Sequence, residues 1–195
     1  TTLQEIARDS AVYDLKSVLI VEVMGRHAGW LTASSGVLHA NGETAPHLIY
    51  LPEGEFTAEK FLNDVKAQLE LRDSVIVAVS EGIKLDDANY RSGKVDNFGH
   101  EYLSGIGKLL ENLVTEKIGC KVRSVELNVM QRCSSHLSSK TDIEEAALIG
   151  AKGVEAALNG ETGKMMAFKR VSNNPYTIEI ESVEAKLVAN AEKTF

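Results

Sequence analysis

Four β-rich apolar runs alternate with segments of helical periodicity along this chain, and that alternation constrains the fold more than any other feature. The runs occupy residues 17–23, 47–51, 74–79 and 121–130. Between and after them, helices are expected over residues 28–38, 58–71, 103–118 and 142–158, with a shorter one over 1–14. Phe61, Leu62, Val65 and Leu69 repeat at helical spacing, as do Ile106, Leu109, Leu110, Leu113 and Val114. Thr57 and Thr141 are placed as helix N-caps, Thr2 with Glu5 resembles a capping box, and Gly119 and Asn159-Gly160 are placed as stops. Strand–helix–strand units of this length predict an α/β fold, a mainly parallel sheet flanked by helices. Two further strands are expected at 165–169 and 177–180 around a turn at 172–175, with Met165-Met166 in a strand core.

In such a sheet ligands collect at the carboxyl ends of the strands. The first apolar run ends in Met24-Gly25-Arg26-His27-Ala28-Gly29-Trp30. A helix starting there offers free backbone N–H groups to an anion, and Arg26 adds a planar fork suited to phosphate. Spacing alone leaves an ordinary strand-to-helix turn with a surface arginine equally open. The second run ends in Pro52-Glu53, where the carboxylate faces either a ligand or solvent; the third ends in Ser80-Glu81-Gly82; the fourth delivers Gln131-Arg132-Cys133-Ser134-Ser135. If the strands are parallel, these turns share one edge. A carboxylate for hydroxyls and arginines for phosphate then suit a sugar phosphate.

Composition narrows the class. A net charge of −7 argues against a general nucleic-acid binder. Cys120 and Cys133 give neither a disulfide framework nor metal-ligand spacing, and are expected to be buried free thiols. No apolar run approaches the roughly 18 residues that span a bilayer, and a cytoplasmic protein is expected. The chain begins Thr1-Thr2-Leu3 inside a helical pattern, as a processed native N-terminus can and as a piece of a longer polypeptide does more often.

At these turns the sequence resembles the 6-phosphofructokinase family. Val21-Glu22-Val23-Met24-Gly25-Arg26-His27-Ala28-Gly29 looks like its V-E-V-M-G-R-x-x-G motif, Leu51-Pro52-Glu53 like its P-E element, and Arg123 through Gln131-Arg132 like its closing arginine-to-Q-R stretch. The resemblance implies a Rossmann-like three-layer substrate domain and a fructose 6-phosphate site. By analogy Met24 and Gly25 contact the sugar, Arg26 reaches toward the transferring phosphoryl group, Glu53 binds sugar hydroxyls and Arg132 binds the sugar's phosphate. Arg123 matches an arginine that serves a neighbouring subunit's site, which implies a homo-oligomer.

Departures shape the expectation. The ATP-dependent bacterial pattern G-H-I-Q-R-G-G reads Asn128-Val129-Met130-Gln131-Arg132-Cys133-Ser134 here, so its phosphate-binding histidine is Val129. A family arginine falls on Ser17, with Lys16 beside it as a substitute. Gln131 to His136, followed by Ser139-Lys140-Thr141-Asp142, looks more like pyrophosphate-dependent members. The family's glycine-rich phosphate loop and its aspartate-rich catalytic segment do not occur. The resemblance therefore places the general base, the Mg2+ ligands and the site for pyrophosphate or ATP in an N-terminal part that these 195 residues do not include. Residues 1–195 then form a C-terminal, substrate-binding portion that alone binds weakly and does not turn over. A non-catalytic sugar-phosphate sensor and a purely structural subunit are the competing readings.

Other candidates point less clearly. His27 touches either substrate or solvent. His39, His47, His100 and His136 share no metal-ligand spacing. Ser134-Ser135 lack a nucleophile elbow. Glu81 is a partner for a hydroxyl or Mg2+, or a structural contact, and Asp86-Asp87 read as a solvated loop.

Overall fold

A computed structural model describes residues 1–85 and 105–195. Residues 86–100 of the loop expected over 83–100, with Asp86-Asp87 and His100, and the first two residues of the helix expected from 103 lie outside the described residues. The chain divides into two compact units, Thr1–Cys133 with Lys193–Phe195, and Ser134–Glu192.

The first unit is built on a parallel sheet. β1 (Ser17–Val23), β2 (Leu48–Tyr50), β3 (Ser74–Ser80) and β4 (Lys121–Glu126) line up in the order β2-β3-β1-β4, and every neighbouring pair is parallel. The α/β expectation is met. β1 and β3 sit centrally and bury almost every side chain, which is why both read as continuous apolar runs. Val18 and Ile20 of β1 and Val75, Val77 and Val79 of β3 join Phe61 and Val65 of α4 (Ala58–Leu71) and Leu110 and Val114 of α5 (Ile106–Lys117) in one core. Burying each such side chain contributes about 1.5–3 kcal/mol. Thr57 caps α4 as expected, its hydroxyl accepting the Lys60 N–H at 3.1 Å.

Several elements differ from expectation. Helix α1 (Thr2–Ser10) starts from Thr1, whose side chain makes no capping bond, so the Thr2–Glu5 capping box does not form. The helix expected over 28–38 is three short pieces: α2 (Trp30–Ala33), a 3₁₀ turn (Ser34–Gly36) and α3 (Val37–Ala40). The hydroxyls of Ser34 and Ser35 donate back to the carbonyls of Leu31 and Thr32, each at 2.6 Å, and such bonds compete with the regular helical ladder. β4 stops at Glu126 rather than residue 130, because Asn128 takes a left-handed conformation (φ 44°) and the chain turns into α6 (Met130–Cys133). Cys120 is only half-buried and Cys133 is exposed, so the expectation of buried thiols fails.

The second unit holds α7 (Lys140–Leu158) and an antiparallel hairpin of β5 (Lys164–Asn173) and β6 (Tyr176–Glu184), followed by α8 (Ala185–Val188). Ser139, not Thr141, caps α7, accepting the Asp142 N–H at 3.0 Å. No residue of this unit is buried, and Met165 is exposed rather than in a core.

Candidate functional site

Parallel pairing brings the ends of β1, β2, β3 and β4 to one edge of the sheet. The turn after β1 is held from two sides there. From β4, Gln131 of α6 offers its carboxamide to Met24: Oε1 accepts the Met24 N–H at 2.9 Å and Nε2 donates to the Met24 carbonyl at 3.1 Å. From β3, Glu81 Oε1 accepts the N–H groups of Gly25 at 3.0 Å and Arg26 at 2.7 Å.

Between these clamps Arg26 is forced into the left-handed region, at φ 50°, which a side chain with a Cβ resists. Gly82 makes that turn possible. A Cβ at position 82 would overlap the Arg26 carbonyl oxygen and lie 2.9 Å from its carbon. The structural role weighed for Glu81 is the contact the fold displays.

Three of the amides expected to be free at this turn are occupied inside the fold. The amides of Gly25 and Arg26 are taken by Glu81, and the Gly29 amide donates to Glu53 Oε1 at 2.8 Å. The following helix α2 is a single turn, so no extended macrodipole backs the site. Side chains add to what this edge offers an anion. Arg26 and Arg132 are both exposed, Arg132 adjoining the Gln131 that grips Met24.

Glu53 also has a task inside the fold. Its Oε1 accepts the Phe195 N–H at 2.8 Å in addition to that of Gly29, and these N–H groups hold its carboxyl below the usual carboxylate range. Phe195 meets Trp30 edge-on with ring centroids 4.9 Å apart, and Trp30 Nε1 donates to the Lys193 carbonyl at 2.7 Å. No pattern in the sequence marks this tail clasp. Arg123 is not brought to the turn: it pairs in register with Leu19, five positions before Met24, and its side chain is exposed. Lys16, the substitute weighed for the arginine expected at Ser17, is placed away from the Met24 turn as well. It lies before β1, at the opposite edge, where Nζ donates to the Leu69 carbonyl at 2.7 Å. Glu22 was not singled out as a candidate, although a carboxylate inside an apolar run was its signal; it is 4% exposed.

An α/β body that gathers backbone clamps and two arginines at the carboxyl edge of a parallel sheet falls in the class that takes ligands at strand ends. The phosphofructokinase family profile matches residues 2–157. The chain belongs to the phosphofructokinase family. It is similar to a pyrophosphate–fructose 6-phosphate 1-phosphotransferase of Halomonas elongata, 38% identical over 90% of this chain and 42% of that protein. A sulfofructose kinase of Alkalicoccus urumqiensis is 32% identical over 92% of this chain and 46% of its own length. Among solved structures, a pyrophosphate-dependent phosphofructokinase from Marinobacter aquaeolei superposes over the whole chain and 46% of its own, with a TM-score of 0.78 and 31% identity. The chain thus spans less than half the length of these relatives.

Proposed function

We propose that this chain supplies the fructose 6-phosphate site of a phosphofructokinase, with pyrophosphate favoured over ATP as the donor. In that reaction the C1 hydroxyl oxygen of the sugar bonds to a phosphorus of pyrophosphate, the bridging P–O bond breaks, orthophosphate leaves, and fructose 1,6-bisphosphate forms. The observation that carries the reading is the doubly clamped Met24-Gly25-Arg26 turn, which fixes Arg26 beside the segment bearing Arg132. Phosphoryl transfer depends on positioning and charge stabilisation more than on covalent chemistry, and preset guanidinium groups supply both.

Under this reading Arg26 faces the transferring group, Arg132 holds the 6-phosphate, and Met24 and Gly25 line the sugar. Glu53 meets sugar hydroxyls, and exposed Arg123 serves a neighbouring copy in a homo-oligomer. The donor site and the base that takes the C1 proton belong to a part of the polypeptide beyond residues 1–195, so these residues are the C-terminal substrate portion of a cytoplasmic enzyme. The family resemblance adds Mg2+. Among the described residues no group of three or more His, Cys, Asp or Glu side chains is arranged to hold a metal ion, and no step here runs through one. The relatives named as phosphotransferases and kinases weigh against the non-catalytic sensor.

The test joins this chain to the donor half of a pyrophosphate-dependent relative and assays fructose 6-phosphate and sulfofructose with pyrophosphate and with ATP. Pyrophosphate-driven turnover of fructose 6-phosphate that Arg26→Ala and Arg132→Ala each abolish is the expected result. Full activity after both substitutions would remove the site assignment, and a preference for sulfofructose would reassign the substrate.

A further inference from the structure

Glu22 is the one charged side chain in β1, buried between β3 and β4 two residues before Met24. Two backbone amides compensate it. Oε1 accepts the Gly105 N–H at 3.1 Å and Oε2 the Gly107 N–H at 2.8 Å, both at the start of α5. The positive end of the α5 dipole faces this carboxylate. The approach is tight: a Cβ at Gly107 would lie 3.2 Å from Oε2, so the carboxylate would have to give by a few tenths of an ångström.

The main chain of Glu22 continues the linkage. Its carbonyl accepts the Leu127 N–H at 3.1 Å, and the Leu127 carbonyl accepts the Met130 N–H at 3.0 Å, opening the turn that carries Gln131 and Arg132. Farther along α5, Glu111 Oε2 accepts the Ser124 N–H at 2.8 Å and also bonds the Ser124 hydroxyl, fixing the helix to β4. One residue therefore ties α5, the end of β1 and the segment after β4 together.

Stability alone does not explain a carboxylate at this place. Replacing buried ionic groups by well-packed apolar ones is often neutral or stabilising. Burial pushes the Glu22 carboxyl up, and the neighbouring carboxylates of Glu126 and Glu81 push the same way. Local choices that run against stability are expected where function requires them.

We propose that Glu22 is a positioning residue for the acceptor site: by holding the first turn of α5 it sets the Met24–Arg26 turn and the Gln131-Arg132 segment in register with one another. The inference rests on the acceptor-site reading above. It is tested in the joined, active protein by Glu22→Gln, in which the carboxamide accepts one amide and turns its NH2 toward the other. Gly107→Ala, which crowds the carboxylate against the first turn of α5, serves as the second variant should the first not fold.

The expected result is at least a tenfold rise in KM for fructose 6-phosphate with an unchanged KM for pyrophosphate, at temperatures where each variant is fully folded. The amides of Gly105 and Gly107 should lose protection from hydrogen exchange, and the amide resonances of Gly25 and Arg26 should shift. A purely structural role lowers the melting temperature and leaves both KM values of the folded protein alone. That outcome in both variants overturns the positioning role while the acceptor-site reading stands. A wild-type joined protein without fructose 6-phosphate turnover overturns the reading and this inference together.

Discussion

Gln131 behaves toward Met24 as a neighbouring strand would, accepting from its N–H at 2.9 Å and donating to its carbonyl at 3.1 Å across 107 residues of sequence. A side chain thereby continues the β1–β4 ladder past the point where β4 has ended. Gln131→Ala leaves both half-buried backbone groups of Met24 without this partner, at a cost of about 1–3 kcal/mol. Chemical denaturation should show that loss, and the KM for fructose 6-phosphate in the joined enzyme should rise with it. Gln131→Glu should do more harm than its shape suggests, since a carboxylate oxygen would then face the Met24 carbonyl.

Arg26 separates stability from function. Its left-handed backbone disfavours any residue with a Cβ by roughly 1–2 kcal/mol relative to glycine. Arg26→Gly should therefore melt higher than Arg26→Ala, although both lack the guanidinium and both should be inactive. Equal melting temperatures for the two variants would show that the turn is unstrained.

Gly82 is the counterpart of that strain. Gly82→Ala puts a methyl group onto the Arg26 carbonyl, and overpacking of this kind destabilises by about 1–3 kcal/mol. The turn, not the core, should absorb the movement. Hydrogen exchange should accelerate at Gly25 and Arg26 while the amides of β3 ahead of Ser80 keep their protection.

His47 gives the first unit a pH dependence. Its Nδ1 accepts the Ile76 N–H at 2.8 Å, and burial, with Arg72 and His39 nearby, lowers the imidazole from 6.5 to about 4. The unfolded chain takes up the proton first, so this contribution to stability is complete above about pH 6.5 and is lost as the pH falls toward 4. His47→Asn keeps an acceptor near the Nδ1 position without the titration. Its denaturation midpoint should vary less across that window than the wild type's.

Trp30, the single tryptophan of the sequence, reports on the tail. Deleting Lys193–Phe195 removes the edge-on ring contact and the hydrogen bond to the indole, so emission should shift to the red. Such ring pairs contribute about 0.5–1.5 kcal/mol beyond the area they bury. The Glu53 carboxyl should titrate at higher pH once the Phe195 amide is gone, measurable by NMR of its side-chain carbon.

The sheet was legible because β1 and β3 are buried on both faces, which writes an unbroken apolar run into the sequence. The Met24-Gly25-Arg26 turn was legible through its residue types and its place after such a run. What holds the turn was not. Glu81 and Gln131 are ordinary polar residues whose hydrogen bonds bridge separations of 55 to 107 positions, and no local pattern encodes a contact of that range. The helix expected after Trp30 had suitable small residues, but side-chain hydroxyls won the competition for its carbonyls. The strand expected over 121–130 exceeds β4 because the apolar residues Leu127, Val129 and Met130 run past the left-handed break at Asn128. In the second unit the helix expected over 142–158 is present as α7, and none of its residues is buried.

β4 pairs on one side only, with β1, and among the described residues its other side is left without a strand. A bare strand edge is a template for intermolecular pairing, which natural sequences discourage with charge. Lys121, Arg123 and Glu126 supply that charge, and Val125 lies exposed between the last two. Arg123 is one of the charges on that edge. A neutral substitution there, made to probe an oligomer contact, also weakens the guard against aggregation, so lost activity in such a variant has meaning only beside a light-scattering trace.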